Sequence, residues 1–203
     1  LRQDRRPLRV TAMSFLRSPF AADPPPALRD AHVVLRVPDM ADFEQWANLR
    51  LASRDFLTPW EPVWPSNDLT RGAFRARVRQ YHRDVDDDAA YPFFIFDARG
   101  GHLVGALTLS NVRRGVAQAG TLGYWIGAPY ARHGYMSSAV RLVLGYAFGQ
   151  LGLHRVEAAC LPHNAASIAL LRRTGFEHEG LARAYLKIAG EWRDHLLFAK
   201  LAS

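Results

Sequence analysis

A mixed α/β domain built around a single sheet is the fold class the sequence predicts, and three observations predict it. Residues 91–126 hold three apolar segments separated by turn residues, the pattern of an antiparallel meander. Residues 137–151 carry apolar side chains at Val140, Leu142, Val143, Leu144, Ala147 and Phe148, the spacing of a largely buried helix. A strand follows at 156–161. Because a helix intervenes, that strand runs parallel to the one at 120–126.

Each element has its own signal. Residues 1–30 contain Arg clusters and the run Pro24–Pro26, and read as a flexible or loosely packed lead-in to a domain spanning 31–203. Val33–Val37 reads as a strand. Asp39 can N-cap a helix over Met40–Ser53, with Phe43, Trp46, Leu49 and Leu51 as its apolar positions. The loop Thr58–Ser66 carries Trp60, Glu61 and Trp64 between Pro59, Pro62 and Pro65. Asn67–Asp84 is a charged second helix. Tyr91–Asp97 opens the meander, and Arg99-Gly100-Gly101 marks a hairpin turn. Leu103–Ser110 and Gly120–Ile126 complete it. Asn164 suits the N-cap of a helix over Ala165–Arg173, which Gly175 stops. Leu181–Ile188 and Trp192–Leu201 flank Ala189-Gly190 as a closing hairpin, and no internal repeat appears.

Composition narrows the class. With 203 residues and 49% hydrophobic content, the chain can build a full core. The net charge is +7, carried almost wholly by Arg, since Lys187 and Lys200 are the only lysines. A basic balance suits polyanions: a nucleotide cofactor, nucleic acid or a ribonucleoprotein. No Arg-rich segment alternates with aromatics as base stacking requires, so direct nucleic-acid binding is not expected. Cys160 is the only cysteine, so no internal disulfide can form, and a reducing, cytoplasmic setting is expected. Its apolar strand favours a buried structural thiol over a nucleophile. The apolar stretch Leu142–Leu153 is too short and too Gly-interrupted to span a bilayer, and no secretory leader is visible, so no membrane partner is expected. His154 and His163 lack metal-ligand spacing, so no metal is expected.

The most informative stretch is Tyr124–Met136, YWIGAPYARHGYM. An aromatic-apolar strand (Tyr124, Trp125, Ile126) runs into a short turn ending in Arg132, His133 and Gly134, and a helix begins. Consecutive backbone N–H groups at a helix start, with no side chain at Gly134, can wrap an anion. Arg132 and His133 add positive charge.

A second motif follows about thirty residues on: Asn164, Ser167, Leu170 and Gly175-Phe176 within HNAASIALLRRTGFEHEG. The pair of motifs resembles the GNAT acetyltransferase superfamily. The stretches FLTPWEPV (56–63), LGYWIG (122–127), HRVEA (154–158), PHN (162–164) and GEWRDH (190–195) are similar, more narrowly, to the Rim-type N-terminal-alanine acetyltransferases of ribosomal proteins. The resemblance implies a GNAT-like fold: one mostly antiparallel sheet, one parallel pair splayed around the cofactor, and helices on both faces. It implies acetyl-CoA as co-substrate, its arm between the strands at 120–126 and 155–161, touching Trp125 and Ile126. The diphosphate would rest on the amides of Arg132, His133, Gly134, Tyr135, Met136 and Ser137, with Asn164 holding the arm. Three departures stand out, one of them Met136, at a position often held by Gly or Ala. Ala131 occupies a position usually held by Gln or Arg. Leu171 occupies one where many relatives place a Tyr that protonates the leaving thiolate.

Acyl transfer to an amine needs a neutral amine, a stabilised carbonyl oxygen and a departing thiolate. An α-amine has an ordinary pKa of about 7.7–8.0 against about 10.4 for Lys, so a protein N-terminus asks little of a base. A backbone N–H near Trp125–Ile126 can hold the carbonyl oxygen. The resemblance nominates Ser167 as general acid, and Tyr185 is the second candidate. Glu157, on the strand beside the thioester position, Glu61, in the Trp loop, and Glu179 are base candidates. Trp60, Glu61 and Asn111 are expected to meet the acceptor. The expected activity is transfer of acetyl to a protein N-terminus, foremost an N-terminal alanine of a ribosomal protein. The alternatives are a small-molecule amine acceptor, and a non-catalytic acyl-CoA-binding or ribosome-associated module.

Overall fold

The computed structural model describes residues 27–202. The expected lead-in lies, up to residue 26, outside the described residues. The strands are β1 (Leu28–Arg29), β2 (Val33–Arg36), β3 (Tyr91–Asp97), β4 (Leu103–Arg113), β5 (Ala119–Ile126), β6 (Arg155–Cys160), β7 (Glu177–Ile188) and β8 (Glu191–Leu201). The helices are α1 (Phe43–Ala52), α2 (Arg54–Leu57), α3 (Arg71–Asp86), α4 (Tyr135–Gly149) and α5 (Ala165–Arg173). One sheet runs in the order β1-β2-β3-β4-β5-β6-β8-β7. Its neighbours are all antiparallel except β5 and β6, which are parallel as the intervening helix requires.

The sheet is covered on both faces, and β3 records this in its sequence. Its run YPFFIFD is buried almost throughout. Tyr91, Phe93 and Ile95 join one core with α4, while Phe94 and Phe96 join a second with Trp46 of α1 and Phe74 and Val78 of α3. A strand covered on both sides loses the apolar-polar alternation and reads as a continuous apolar run. Burying each such aromatic ring stabilises the fold by about 1.5–3 kcal/mol.

Several boundaries move for local reasons. Asp39 and Asp42 form a capping box, but around a single 3₁₀ turn, Met40–Asp42, so the α-helix starts at Phe43. The second helix starts at Arg71, not Asn67, because Thr70 Oγ1 accepts from the Ala73 amide at 3.2 Å. Asp68, a rival cap, is buried and bound to Arg77 at 2.5 Å. The final hairpin is longer than expected, with β7 beginning at Glu177. Among the described residues no helix is long and apolar enough to cross a membrane.

Candidate active site

The parallel pair opens partway along. The register of β5 with β6 runs from Ala119↔Arg155 to Leu122↔Ala158 and stops. Beyond it, β5 continues to Ile126 against β4 alone, while Ala159 and Cys160 pair only with β8. The hydrogen-bond direction can be assigned. The Gly127 amide donates to the Val104 carbonyl at 2.8 Å, so alternation turns the Trp125 peptide group toward β4. The N–H and C=O groups of Tyr124 and Ile126 therefore face the opening. The amide expected near Trp125–Ile126 to hold a carbonyl oxygen falls, by this alternation, on Tyr124 or Ile126.

The opening leads to the turn before α4. Arg132 and Gly134 take positive φ values of 66° and 85°. Gly134 is the N-cap of α4, and no side chain caps the helix there. The first-turn amides, from Tyr135 through Ser137, lack intrahelical partners by geometry. The space where a Gly134 Cβ would project is open. Arg132, His133 and Gly134 are exposed, while the Tyr135 ring packs edge-on to Tyr130. Beside this start lies a cavity of about 180 Å³ lined by His32, Gly134, Ser137, Ser138, Arg141 and Arg173. The amides, the open volume and two guanidiniums fit an anion such as a diphosphate.

On the far side of the opening, Asn164 caps α5: its Oδ1 accepts from the Ser167 amide at 3.0 Å. That leaves the Asn164 amide NH₂ as the group able to meet a ligand. Ser167 is buried, and its hydroxyl lies 2.6 Å from that of Tyr124. Burial pushes the Tyr124 phenol well above its ordinary value, against the smaller lowering effect of the Ser167 bond. Cys160 is buried against Ser167, and desolvation likewise raises its thiol. Leu171 is fully buried in the α4 core, so α5 offers no phenol.

The Trp loop closes the side nearest α1. Glu61 is held by a two-bond ion pair with Arg50, each contact 2.7 Å, and accepts from Trp64 Nε1 at 2.7 Å. The Arg50 guanidinium lies between two aromatic rings, 4.0 Å from the Trp64 centroid and 4.9 Å from that of Trp125. Trp60 stacks near His163 at 5.4 Å, and the Ala189 amide donates to the Glu61 carbonyl at 2.9 Å. Loop, closing hairpin and β6–α5 turn thus meet. Next to them is a cavity of about 340 Å³ lined by Leu161, Pro162, His163, Trp192, Arg193 and Asp194.

The remaining candidates sit differently. Glu157 stands at the register of Thr121, just before the opening, and accepts from Arg113 at 2.6 Å and Arg155 at 2.9 Å. Tyr185 is exposed in a β7 bulge, with its ring 5.8 Å from that of His195. Asn111 is exposed at φ 51° in a β4 bulge facing the start of β5, the end away from the opening. Asp194 ties the β7 bulge by accepting from the Ala184 amide at 2.8 Å. Among the described residues no cluster of three His, Cys, Asp or Glu side chains forms a metal site.

Sequence reasoning did not single out Arg50 or the Tyr124 hydroxyl. Each had a signal. Arg50 falls one helical turn after Trp46, on a face meant for apolar groups. Alternation places Tyr124 with Leu122 and Ile126, where a phenol needs a partner.

Comparison with known proteins places this geometry. Residues 32–177 match the family model described as an acetyltransferase (GNAT) domain. The [ribosomal protein uS5]-alanine N-acetyltransferase of Escherichia coli is 36% identical over 167 residues, 82% of this chain and 86% of that one. RimJ of Mycobacterium smegmatis, solved in complex with CoA-disulfide, superposes with a TM-score of 0.80 at 34% identity, covering 84% of this chain and 82% of that one. The ribosomal-protein-S5-alanine acetyltransferase of Vibrio fischeri gives a TM-score of 0.82 at 30% identity, covering 87% and 97%.

Proposed function

The chain belongs to the GNAT acetyltransferase family, in its Rim-type branch, and from that premise we propose that it moves acetyl from acetyl-CoA to the N-terminal α-amine of a protein. The acceptor we propose is an N-terminal alanine of a ribosomal protein, attacked directly in a ternary complex in the cytoplasm. One observation carries the reading: the β5–β6 pair opens beside a helix start with no side-chain cap, and Arg50 joins the Trp loop to Trp125 of β5. The uS5-alanine transfer for which two relatives are named, and the CoA found with a third, support the choice of both substrates.

The residues divide the work. Amides from Arg132 to Ser137 would hold the diphosphate, with Arg141 and Arg173 adding charge. The Asn164 amide NH₂ and the peptide groups of Tyr124 and Ile126 would hold the arm. The Tyr124 or Ile126 N–H, aimed at the developing oxyanion, stabilises it more than the ground-state carbonyl. Acetyl-CoA supplies the activated acyl group. Glu61 and Glu157 already bind arginines, so the amine's proton leaves through water, a route an α-amine permits because roughly a tenth or more of it is neutral near pH 7. Trp60 and the cavity at His163 and Trp192 would receive the acceptor.

A peptide panel tests the acceptor. Ala-starting peptide is expected to gain one acetyl group, and the same peptide with a blocked α-amine none. Transfer only to free amino acids or polyamines would sink the proposal. Asn164→Ala tests the cofactor site. It is expected to cost about 1 kcal/mol of stability through the lost cap and to weaken CoA binding by about tenfold. A stability loss with unchanged CoA affinity would leave Asn164 as a helix cap and nothing more.

A further inference from the structure

The hydroxyls of Tyr124 and Ser167 meet across the gap where β5 leaves β6, one from each wall of the opening. At 2.6 Å this is a short, well-formed bond between groups forty-three positions apart. The Tyr124 phenol is partly buried on an apolar face, where an unbonded hydroxyl is costly, and among the described residues Ser167 is its only hydrogen-bond partner. Asn164 holds the Ser167 backbone amide, and Tyr124 holds the Ser167 hydroxyl. Leu171, buried in the core, leaves α5 without a phenol of its own.

We infer that Tyr124 is a positioning residue for thiolate departure, donating its hydroxyl hydrogen to Ser167 Oγ so that the Ser167 hydrogen is aimed at the leaving sulfur. The inference rests on the reading that acetyl-CoA lies in this opening. A phenol is a stronger acid than an alkyl hydroxyl, so the donor direction runs from Tyr124 to Ser167. Burial keeps Tyr124 protonated, so it serves as a fixed donor and not as a net acid. In the step itself, the amine nitrogen forms its bond to the acyl carbon and the C–S bond breaks, its electron pair going to sulfur. The Ser167 O–H stays intact. It donates a hydrogen bond that favours the charged sulfur, and the Tyr124 bond strengthens that donor. The thiolate takes its proton from water. A free alkyl thiol ionises near pH 8.5, so it leaves readily once hydrogen-bonded.

Cys160 of β6 lies against Ser167. No charged side chain bonds to either hydroxyl among the described residues.

The test reads the ionisation of the thiol of bound CoA, by thiolate absorbance of CoA-loaded minus free protein. Using Cys160→Ala as parent removes the protein's own thiol. The parent is expected to ionise bound CoA below about pH 8.5. Tyr124→Phe should weaken that ionisation constant about three- to tenfold, the scale of one net hydrogen bond. Ser167→Ala should weaken it more, and Tyr124→Phe should add nothing in that background. CoA affinity and thermal midpoint are measured alongside to confirm that each variant folds and binds. If Ser167→Ala raises the ionisation pH and Tyr124→Phe does not, the Tyr124 role is overturned and Ser167 stands. Equal effects of Tyr124→Phe with and without Ser167 overturn the chain of donors. If Ser167→Ala changes nothing, both roles fall. If the parent does not bind CoA, the reading of the opening itself falls.

Discussion

Alanine at Arg50 is expected to lower the stability of the fold by about 3–5 kcal/mol, the cost of removing one partner from a buried ion pair. The Arg50 side chain is only 9% exposed and that of Glu61 18%. Both carboxylate oxygens accept from the guanidinium, and Trp64 Nε1 adds a third bond. Truncation leaves that carboxylate with one donor and no countercharge. It also removes the planar cation from between Trp64 and Trp125, a contact worth about 1–2 kcal/mol when shielded from water. Among the described residues Arg50 Nε has no partner, a standing cost that makes the other contacts more necessary. Urea unfolding of the single variant measures the loss. Combining Arg50→Met with Glu61→Met should recover part of it, because no unpaired charge then remains buried. A single-variant loss under about 1 kcal/mol would mark the pair as behaving like a surface salt bridge. The functional consequence follows from position. Arg50 ties the Trp loop to Trp125, the residue between the two open peptide groups of β5. A folded Arg50→Met variant should therefore raise the acceptor KM more than it changes CoA affinity.

That pair also marks where the sequence stops being legible. The sheet order around β5 and β6 follows from one intervening helix, and β3 announces its double burial by an unbroken apolar run. Asn164 declares itself as a cap, and it is one. Local rules suffice for these because the deciding contacts lie within a few residues. They falter at the start of α3, where Asn67, Asp68 and Thr70 are all competent caps. The choice there is made by Arg77, which claims Asp68 from two turns along the helix. They give no account of Arg50–Glu61 or Tyr124–Ser167, whose partners are brought together by tertiary packing. An arginine partner for Glu157 is legible in the neighbouring Arg155, whereas the Arg50 partner of Glu61 is shown only by the fold. Two-residue β1 has no sequence signal because its pairing with β2 is all that defines it. The family resemblance implies the opening of the parallel pair, and no residue pattern in β5 or β6 encodes where pairing ends.

Gly134→Val, compared with Gly152→Val, separates the cost of a backbone shape from the cost of a blocked site. Both glycines hold a left-handed backbone, with φ of 85° and 63°, and both would project a Cβ into open space. Each substitution should therefore lose similar stability, about 1–2 kcal/mol or somewhat more for a β-branched residue, from left-handed strain alone. Their surroundings differ. Gly152 lies in the connection between α4 and β6, while Gly134 is the N-cap residue of α4, without a side-chain cap, beside Arg141 and Arg173. A valine there would stand over the first-turn amides, where several charge-assisted bonds to a diphosphate would form. Losing about 2–3 kcal/mol of such contacts corresponds to roughly a hundredfold weaker CoA binding. Calorimetric titration with CoA on both variants gives the comparison. Gly152→Val should bind as the parent does once folded. Equal affinities for the two variants would remove the helix start from the cofactor site, and the splayed strands would then have to hold the ligand without it.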